Sequence, residues 1–234
     1  MPGESLALAL PELGTRMELS APMILDADVL HRVDSTGPRF IVFLDPETHG
    51  WRLRSWLRRM GLDHAPLPGP FASEIVAIAS SEPDQNSTLD RLAELRDTLG
   101  SWRHWGPAPA PDPLILDVAA RVMTTTSIDR DTLATITGLS PRRLSQTFRA
   151  ITGLTLRRYA VWAKVSRALL IASRGAQLSS SSIEAGFSDQ AHLSRSLAAL
   201  LGQTPSQLPL RQSSVRGNFF SGLGPQAKGF IKLT

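Results

Sequence analysis

Between residues 138 and 202 the chain repeats itself. Gly138-Leu139-Ser140 returns 48 residues later as Gly186-Phe187-Ser188. Leu144, Phe148, Ile151 and Gly153 return at an offset of 49 as Leu193, Leu197, Leu200 and Gly202. A self-similar stretch of this kind folds as two copies of one supersecondary unit. Each copy has a short helical run, a tight turn through Gly, a Ser able to cap the next helix, and a second helix stopped by Gly. That is the pattern of a helix-turn-helix. Between the copies, Leu156 to Arg174 contains neither Gly nor Pro and is expected to be one long helix.

The second helix of the first copy has two chemically distinct faces. At 100° per residue, Leu144, Phe148 and Ile151 fall on one side. Arg142, Ser145, Gln146 and Arg149 fall on the other. An apolar face that holds the helix down leaves a donor-rich face outward. Arg can pair bidentately with guanine and Gln with adenine in a major groove. Ser140 as cap and Pro141 in the first turn leave the helix N-terminus positive and suited to phosphate. The competing reading is that Arg142, Arg143 and Arg149 only solvate a surface helix.

Charge decides between the two. Residues 1–111 hold 10 Arg/Lys and 15 Asp/Glu, a net of −5, while residues 112–234 hold 15 and 6, a net of +9. A repeated turn inside a strongly basic half points to a polyanion, and specifically to double-stranded DNA. Arg157, Arg158 and Lys164 in the long helix are either phosphate contacts or surface charges. The second copy offers less. Its outward stripe is Ala191, Ser194, Arg195 and Ala198, with His192 on the flank. The first unit is therefore expected to read bases and the second to hold backbone. For His192 a surface histidine without a role is an equal alternative.

These residues also carry a family resemblance. Gly186-Phe187-Ser188-Asp189-Gln190-Ala191-His192-Leu193-Ser194-Arg195, followed by Gly202-Gln203-Thr204-Pro205, resembles the signature of AraC/XylS-type transcription regulators. Leu133-Ala134, Gly138 through Pro141, Leu144, Phe148, Gly153 and Tyr159 match the same pattern in the first copy. The resemblance covers about residues 114–208. It implies a seven-helix domain whose two recognition helices enter successive major-groove segments on one DNA face. The implied DNA-binding positions are Arg142, Arg143, Ser145, Gln146, Gln190, His192, Ser194 and Arg195; the helical wheel adds Arg149. RNA polymerase is a candidate partner. Two departures fall in the second unit. Ser179-Ser180-Ser181-Ser182 replaces an Ala- and Ile-rich helix, with a hydroxyl at 181 where an apolar contact is expected. Leu197 and Ala198 stand where the family usually has Phe and Arg.

The fold expected is mainly α: a C-terminal seven-helix bundle, with two helix-turn-helix units joined by a long helix, behind a small α+β domain. Residues 1–106 would be a sensor or dimerisation-like domain and 107–113 a Pro-rich linker. The DNA-binding domain would be 114–210, and 211–234 a disordered tail. In the first half, residues 1–22 are not assignable. Val29–Val33 and Arg39–Leu44 suggest strands flanking a hairpin loop at 34–38. Helices are expected over about 50–60, 72–80 and 88–99. The leucines of the last (Leu89, Leu92, Leu95, Leu99) serve either internal packing or a homodimer interface. Asp112 and Pro113 open a helix running to about Thr124. His31-Arg32-Val33 and Phe43 through Glu47 resemble, faintly, the cupin-like sensor domains that precede this module in relatives. Too few residues precede His31 to supply a barrel's early strands. The sensor is thus truncated, borrows strands from a partner or starts upstream. Whether a small-molecule effector binds is left open.

Other classes find little support. No apolar run nears the roughly 18 residues of a membrane span, and the N-terminus lacks the pattern of a secretory signal. A cytoplasmic location is expected, with no membrane partner. With no cysteine there is no disulfide or thiolate chemistry. The five histidines, His31, His49, His64, His104 and His192, show no ligand spacing, so no metal, cofactor or enzyme activity is expected. His31 is expected to be a strand histidine with a hydrogen-bond partner. The rival function is a truncated paralogue that pairs with a full-length regulator and binds DNA weakly by itself.

Overall fold

The computed structural model describes residues 6–27, 29–35, 40–43, 49–79, 106, 112–127, 129–201, 204–205 and 230–233. They divide into two compact units, one with the strands, α2 and most of α1, the other with α3–α8.

The first unit is built from β1 (Leu6–Leu10), β2 (Thr15–Glu18), β3 (Met23–Leu25), β4 (Arg32–Ser35), β5 (Phe40–Phe43), α1 (His49–Arg59), β6 (His64–Pro66), α2 (Gly69–Ala79) and β7 (Phe230–Leu233). The stretch that resisted assignment supplies the central strand. β1 pairs antiparallel with β2 on one side and β4 on the other. Its sequence, Leu-Ala-Leu-Ala-Leu, has no polar position, and Ala7, Leu8 and Leu10 are all buried. A strand covered on both faces does not alternate, so periodicity cannot announce it. A 3-10 turn at Pro11–Leu13, closed by Gly14 at φ +60°, returns the chain into β2.

The two strands expected as a hairpin are present but are not partners. β4 pairs with β1, with Leu8 opposite Val33, and β5 pairs with β7. Strand propensity marks where a chain is extended, whereas pairing is chosen by the apolar surface that β1 presents. β4 also starts later than expected, so His31 precedes it, its Nδ1–H donating to the Val29 carbonyl at 2.9 Å. β3 and β6 form a second antiparallel pair with Ile24 opposite Ala65. Helix α1 buries Leu53 and Leu57, and Arg54 reaches Asp26 at 3.0 Å in a nearly buried ion pair. The helix expected over 88–99 and the linker at 107–111 lie outside the described residues. So does the expected tail, apart from β7.

The second unit contains α3 (Pro113–Thr124), α4 (Arg130–Thr137), α5 (Pro141–Thr152), α6 (Leu156–Ser173), α7 (Leu178–Glu184) and α8 (Gln190–Leu201). Of the seven helices expected, these six are described; residues 202–203 and 206–210 lie outside. Local chemistry explains the boundaries. Asp112 caps α3, its Oδ1 accepting the Leu114 N–H at 3.0 Å ahead of Pro113. Asp129 caps α4 through the Thr132 N–H, and Thr155 caps α6 through the Arg158 N–H. Helix α6 packs against α3, α5, α7 and α8. Its Tyr159, Ala163, Val165 and Ala168 are almost completely buried. Burying side chains of Leu or Phe size contributes about 1.5–3 kcal/mol each. Among the described residues no helix is long and apolar enough to cross a membrane.

Candidate nucleic-acid interface

In the first helix-turn-helix, α4 ends at Gly138, which sits in the left-handed region at φ +67° and lets the chain reverse into Ser140. The Ser140 hydroxyl then accepts the Arg143 N–H at 3.3 Å, and Pro141 takes the first helical position. Helix α5 is seated by Leu144 and Phe148, both fully buried, and Phe148 meets Tyr159 of α6. Thr152, not Ile151, completes the buried face. Its hydroxyl donates to the Phe148 carbonyl at 2.9 Å and accepts the Leu154 N–H at 3.2 Å. A Thr whose hydroxyl is satisfied by its own helix can be buried at little cost.

Opposite that face, Arg142, Arg143, Gln146 and Arg149 are exposed and Ser145 is half-buried. Their grouping agrees with the helical wheel. Ser145 donates its hydroxyl proton to the Pro141 carbonyl at 2.8 Å, so toward a ligand it offers acceptor lone pairs. Such an oxygen suits the exocyclic amino group of adenine or cytosine.

The second unit repeats the design with one residue added. Gly186 ends the turn after α7 at φ +91°. Here the cap is Asp189 rather than the Ser188 expected: its Oδ1 accepts the His192 N–H at 2.6 Å, and its carbonyl accepts the Leu193 N–H. Asp189 is the residue that turns an offset of 48 at the glycines into 49 along the helices. The His192 N–H, helped by the Ser188 hydroxyl and the charges of Arg195 and His192, holds the Asp189 carboxyl below its ordinary pKa. Ser188 also bonds its oxygen to His192 Nδ1 at 3.2 Å, and the imidazole stands edge-on to Phe187 at 5.1 Å. His192 is thus half-buried in its own turn.

With the offset of 49, the outward faces compare directly. Arg142 corresponds to Ala191, Arg143 to His192, Ser145 to Ser194, Gln146 to Arg195 and Arg149 to Ala198. Gln190, Ala191, Arg195 and Ala198 are exposed. Ser194, like Ser145, donates to a carbonyl of its own helix, that of Gln190, at 2.9 Å. All nine expected residues therefore lie on the two second helices, but five functional groups face outward on α5 and fewer on α8.

The two departures in the second unit are absorbed by the fold. The Ser180 and Ser181 hydroxyls donate to the Gln177 carbonyl and the Ser182 hydroxyl to the Ser179 carbonyl, so Ser181 and Ser182 are completely buried without an orphaned hydroxyl. Leu197 fills its site with no exposure, packed in the cluster of Val165, Ala168, Leu169, Ala185, Phe187 and Leu193.

Two cations of α6 also declare themselves. Lys164, a candidate phosphate contact by charge, donates from Nζ to the Gly186 carbonyl at 2.7 Å. Arg167, which sequence reasoning passed over, donates to the carbonyls of Ala185, Met123 and Thr125 at 2.9, 2.9 and 3.0 Å. Burial lowers its pKa, though a guanidinium remains a cation at physiological pH. Its only advance signal is its placement three residues after Lys164. Arg157 and Arg158, by contrast, are exposed at the start of α6. Among the described residues no group of three or more His, Asp or Glu gathers as metal ligands would.

A protein-family model described as a helix-turn-helix domain matches residues 133–211, covering both turns. No curated protein and no solved structure matches the chain.

Proposed function

We propose that the chain is a DNA-binding transcription regulator of the AraC/XylS type that binds promoter DNA sequence-specifically through both helix-turn-helix units, a reading supported by the helix-turn-helix match over residues 133–211. The observation that supports this best is the outward face of α5: four exposed polar side chains and one half-buried hydroxyl on a helix whose opposite face is locked into the core. Arg142, Ser145, Gln146 and Arg149 read base edges. Arg143, at the positive end of the helix, lies beside phosphate. In the second unit, Gln190, Ser194 and Arg195 hold backbone more than they read sequence, with His192 steadying the turn from which α8 departs.

The chain contains no membrane-spanning candidate among its described helices, and a cytoplasmic regulator is the natural setting for this reading. The alanines of α8 favour a second reading, a paralogue that acts by pairing with another regulator and touches DNA weakly. Selection of bound fragments from a random duplex library at about 150 mM salt, where phosphate-only binding is weakened, separates the two. A recovered motif supports the promoter-binding reading. Binding without a motif, collapsing as salt rises, sinks it and leaves the pairing reading.

A further inference from the structure

Helix α6 does more than connect the two units. Lys164 and Arg167 lie three residues apart on one face and both end on the turn that launches α8. Lys164 takes the Gly186 carbonyl at 2.7 Å and Arg167 the Ala185 carbonyl at 2.9 Å. These carbonyls lie at the C-terminal end of α7, where helix geometry leaves acceptors unpaired and the dipole favours a cation. Arg167 does not stop there. Its other terminal nitrogen reaches the carbonyls of Met123 and Thr125 at the C-terminal end of α3. Helix α3 packs on α4 and α5, the two helices of the first helix-turn-helix. One planar guanidinium therefore joins the helix that braces the first turn to the carbonyl that opens the second.

The backbone agrees with the side chains. Gly186 approaches the loop after α3 so closely that a Cβ there would lie 3.0 Å from the Thr126 carbonyl oxygen and 3.2 Å from its Cβ. The second turn is thus pressed against the end of α3 at the same place where Arg167 clamps it. Arg fits this task better than Lys, because its fork of donors serves acceptors on two sides in fixed directions. The hydrogen bonds to backbone carbonyls leave no demand on any side chain of either recognition helix.

We propose that Arg167, seconded by Lys164, is a specificity-determining positioning residue. It fixes α8 relative to α5 and so sets which spacing of two DNA segments the protein accepts. The consequence for DNA rests on the two-unit reading above, whereas the mechanical part does not. A rigid pair rejects a site whose two segments are displaced along the groove, because the rotation per base pair moves the second segment off the face. Loss of the clamp lets α8 follow a displaced segment, so that spacing is read less strictly while the bases under α5 are read as before.

The absence of native cysteine makes a direct test available in the full chain. Ala150→Cys and Ala199→Cys, exposed and at equivalent places on α5 and α8, receive spin labels, and their distance distribution is recorded without DNA. The unmodified clamp is expected to give one narrow distribution. Arg167→Ala is expected to broaden or shift it, Lys164→Met to do so less, and Arg167→Lys to restore it in part. Circular dichroism shows whether each variant is folded. An unchanged distribution in folded Arg167→Ala overturns the proposal; should that variant not fold, an unchanged distribution in both Arg167→Lys and Lys164→Met does so.

In parallel, affinities are compared for a selected site and the same site lengthened between its segments by about 5 base pairs, half a helical turn. The unmodified protein is expected to prefer the original spacing, and Arg167→Ala to bring that ratio toward one. A protein that shows no spacing preference before mutation contradicts two-unit reading, and the label distances still decide the clamp.

Discussion

Phe148 and Tyr159 meet edge to face, ring centroids 5.1 Å apart and planes at 78°, with neither ring exposed. The pair ties α5 to α6 beneath the face that would meet DNA. The second unit has Leu197 at the place of Phe148 and so lacks this contact. Phe148→Ala is expected to destabilise the second compact unit by about 3–5 kcal/mol, and Phe148→Leu by about 1–2 kcal/mol, mostly the lost edge contact. Urea unfolding followed by far-UV circular dichroism measures both. A Phe148→Leu loss as large as that of Phe148→Ala would show that ring geometry, not cavity volume, dominates.

The two turn glycines are not equivalent. A Cβ added at Gly138 would meet nothing within 4 Å, so Gly138→Ala suffers only the strain of the left-handed backbone, at about 1–2 kcal/mol. Gly186→Ala meets the same strain and the Thr126 carbonyl oxygen at 3.0 Å as well. Thermal melts of the two variants are expected to rank Gly186→Ala clearly lower. Equal melting temperatures would mean that the loop after α3 yields without cost.

Acid should loosen the helix starts. Backbone hydrogen bonds, from Thr132 and His192 respectively, hold the Asp129 and Asp189 carboxyls below their ordinary value of 3.8. A carboxyl whose pKa is lower folded than unfolded stabilises the fold above the unfolded value. That contribution is lost as pH falls through the folded value. Asp189→Asn keeps an oxygen that can accept the His192 N–H but cannot titrate. Its melting temperature is expected to fall less steeply than that of the unmodified protein between about pH 5 and about pH 2. Parallel curves would remove Asp189 from the acid response.

Ser181 is an unforced choice for a buried helical position. Its hydroxyl only doubles a contact with the Gln177 carbonyl, which already accepts the Ser181 N–H at 2.9 Å. Ser181→Ala is expected to raise stability by up to about 0.5 kcal/mol through helix propensity. A loss above about 1 kcal/mol in urea unfolding would show that the second hydrogen bond carries weight.

Arg142 and Arg157 test base reading against phosphate holding. On a selected site Arg142→Ala is expected to cost about 1–3 kcal/mol and to relax preference at one base pair. Arg157→Ala is expected to weaken selected and random DNA alike and to reduce the salt slope by about one. Binding titrations at several salt concentrations distinguish them; an equal loss on both DNAs for Arg142→Ala would reassign it to phosphate.

The second half was legible because its signals are local. A cap, a first-turn proline and a left-handed glycine each act within four residues, so Asp112-Pro113 and Gly138 through Pro141 could be placed without knowing what they pack on. The outward face of α5 followed from helical period alone. What escaped depends on distant partners. β1 is apolar at every position, so no alternation marks it, and its pairing with β4 rather than a β4–β5 hairpin is decided by surface it alone supplies. Arg167 looks like any helix cation until the carbonyls of Met123, Thr125 and Ala185 arrive from elsewhere in the chain. Thr152 takes a place on the buried face of α5 because its own helix satisfies its hydroxyl, which leaves no trace in composition. The added Asp189 was visible as a change of offset, but its meaning required the cap.

Ala191 and Ala198 stand exposed on α8 where α5 carries Arg142 and Arg149. A methyl group commits a surface to no partner, so there is nothing at these places to unlearn. If α5 reads bases as proposed, a new contact could be added on α8 by a single side chain while the preference of α5 is kept. Under the proposed role, the asymmetry would give the protein one committed reader and one blank page.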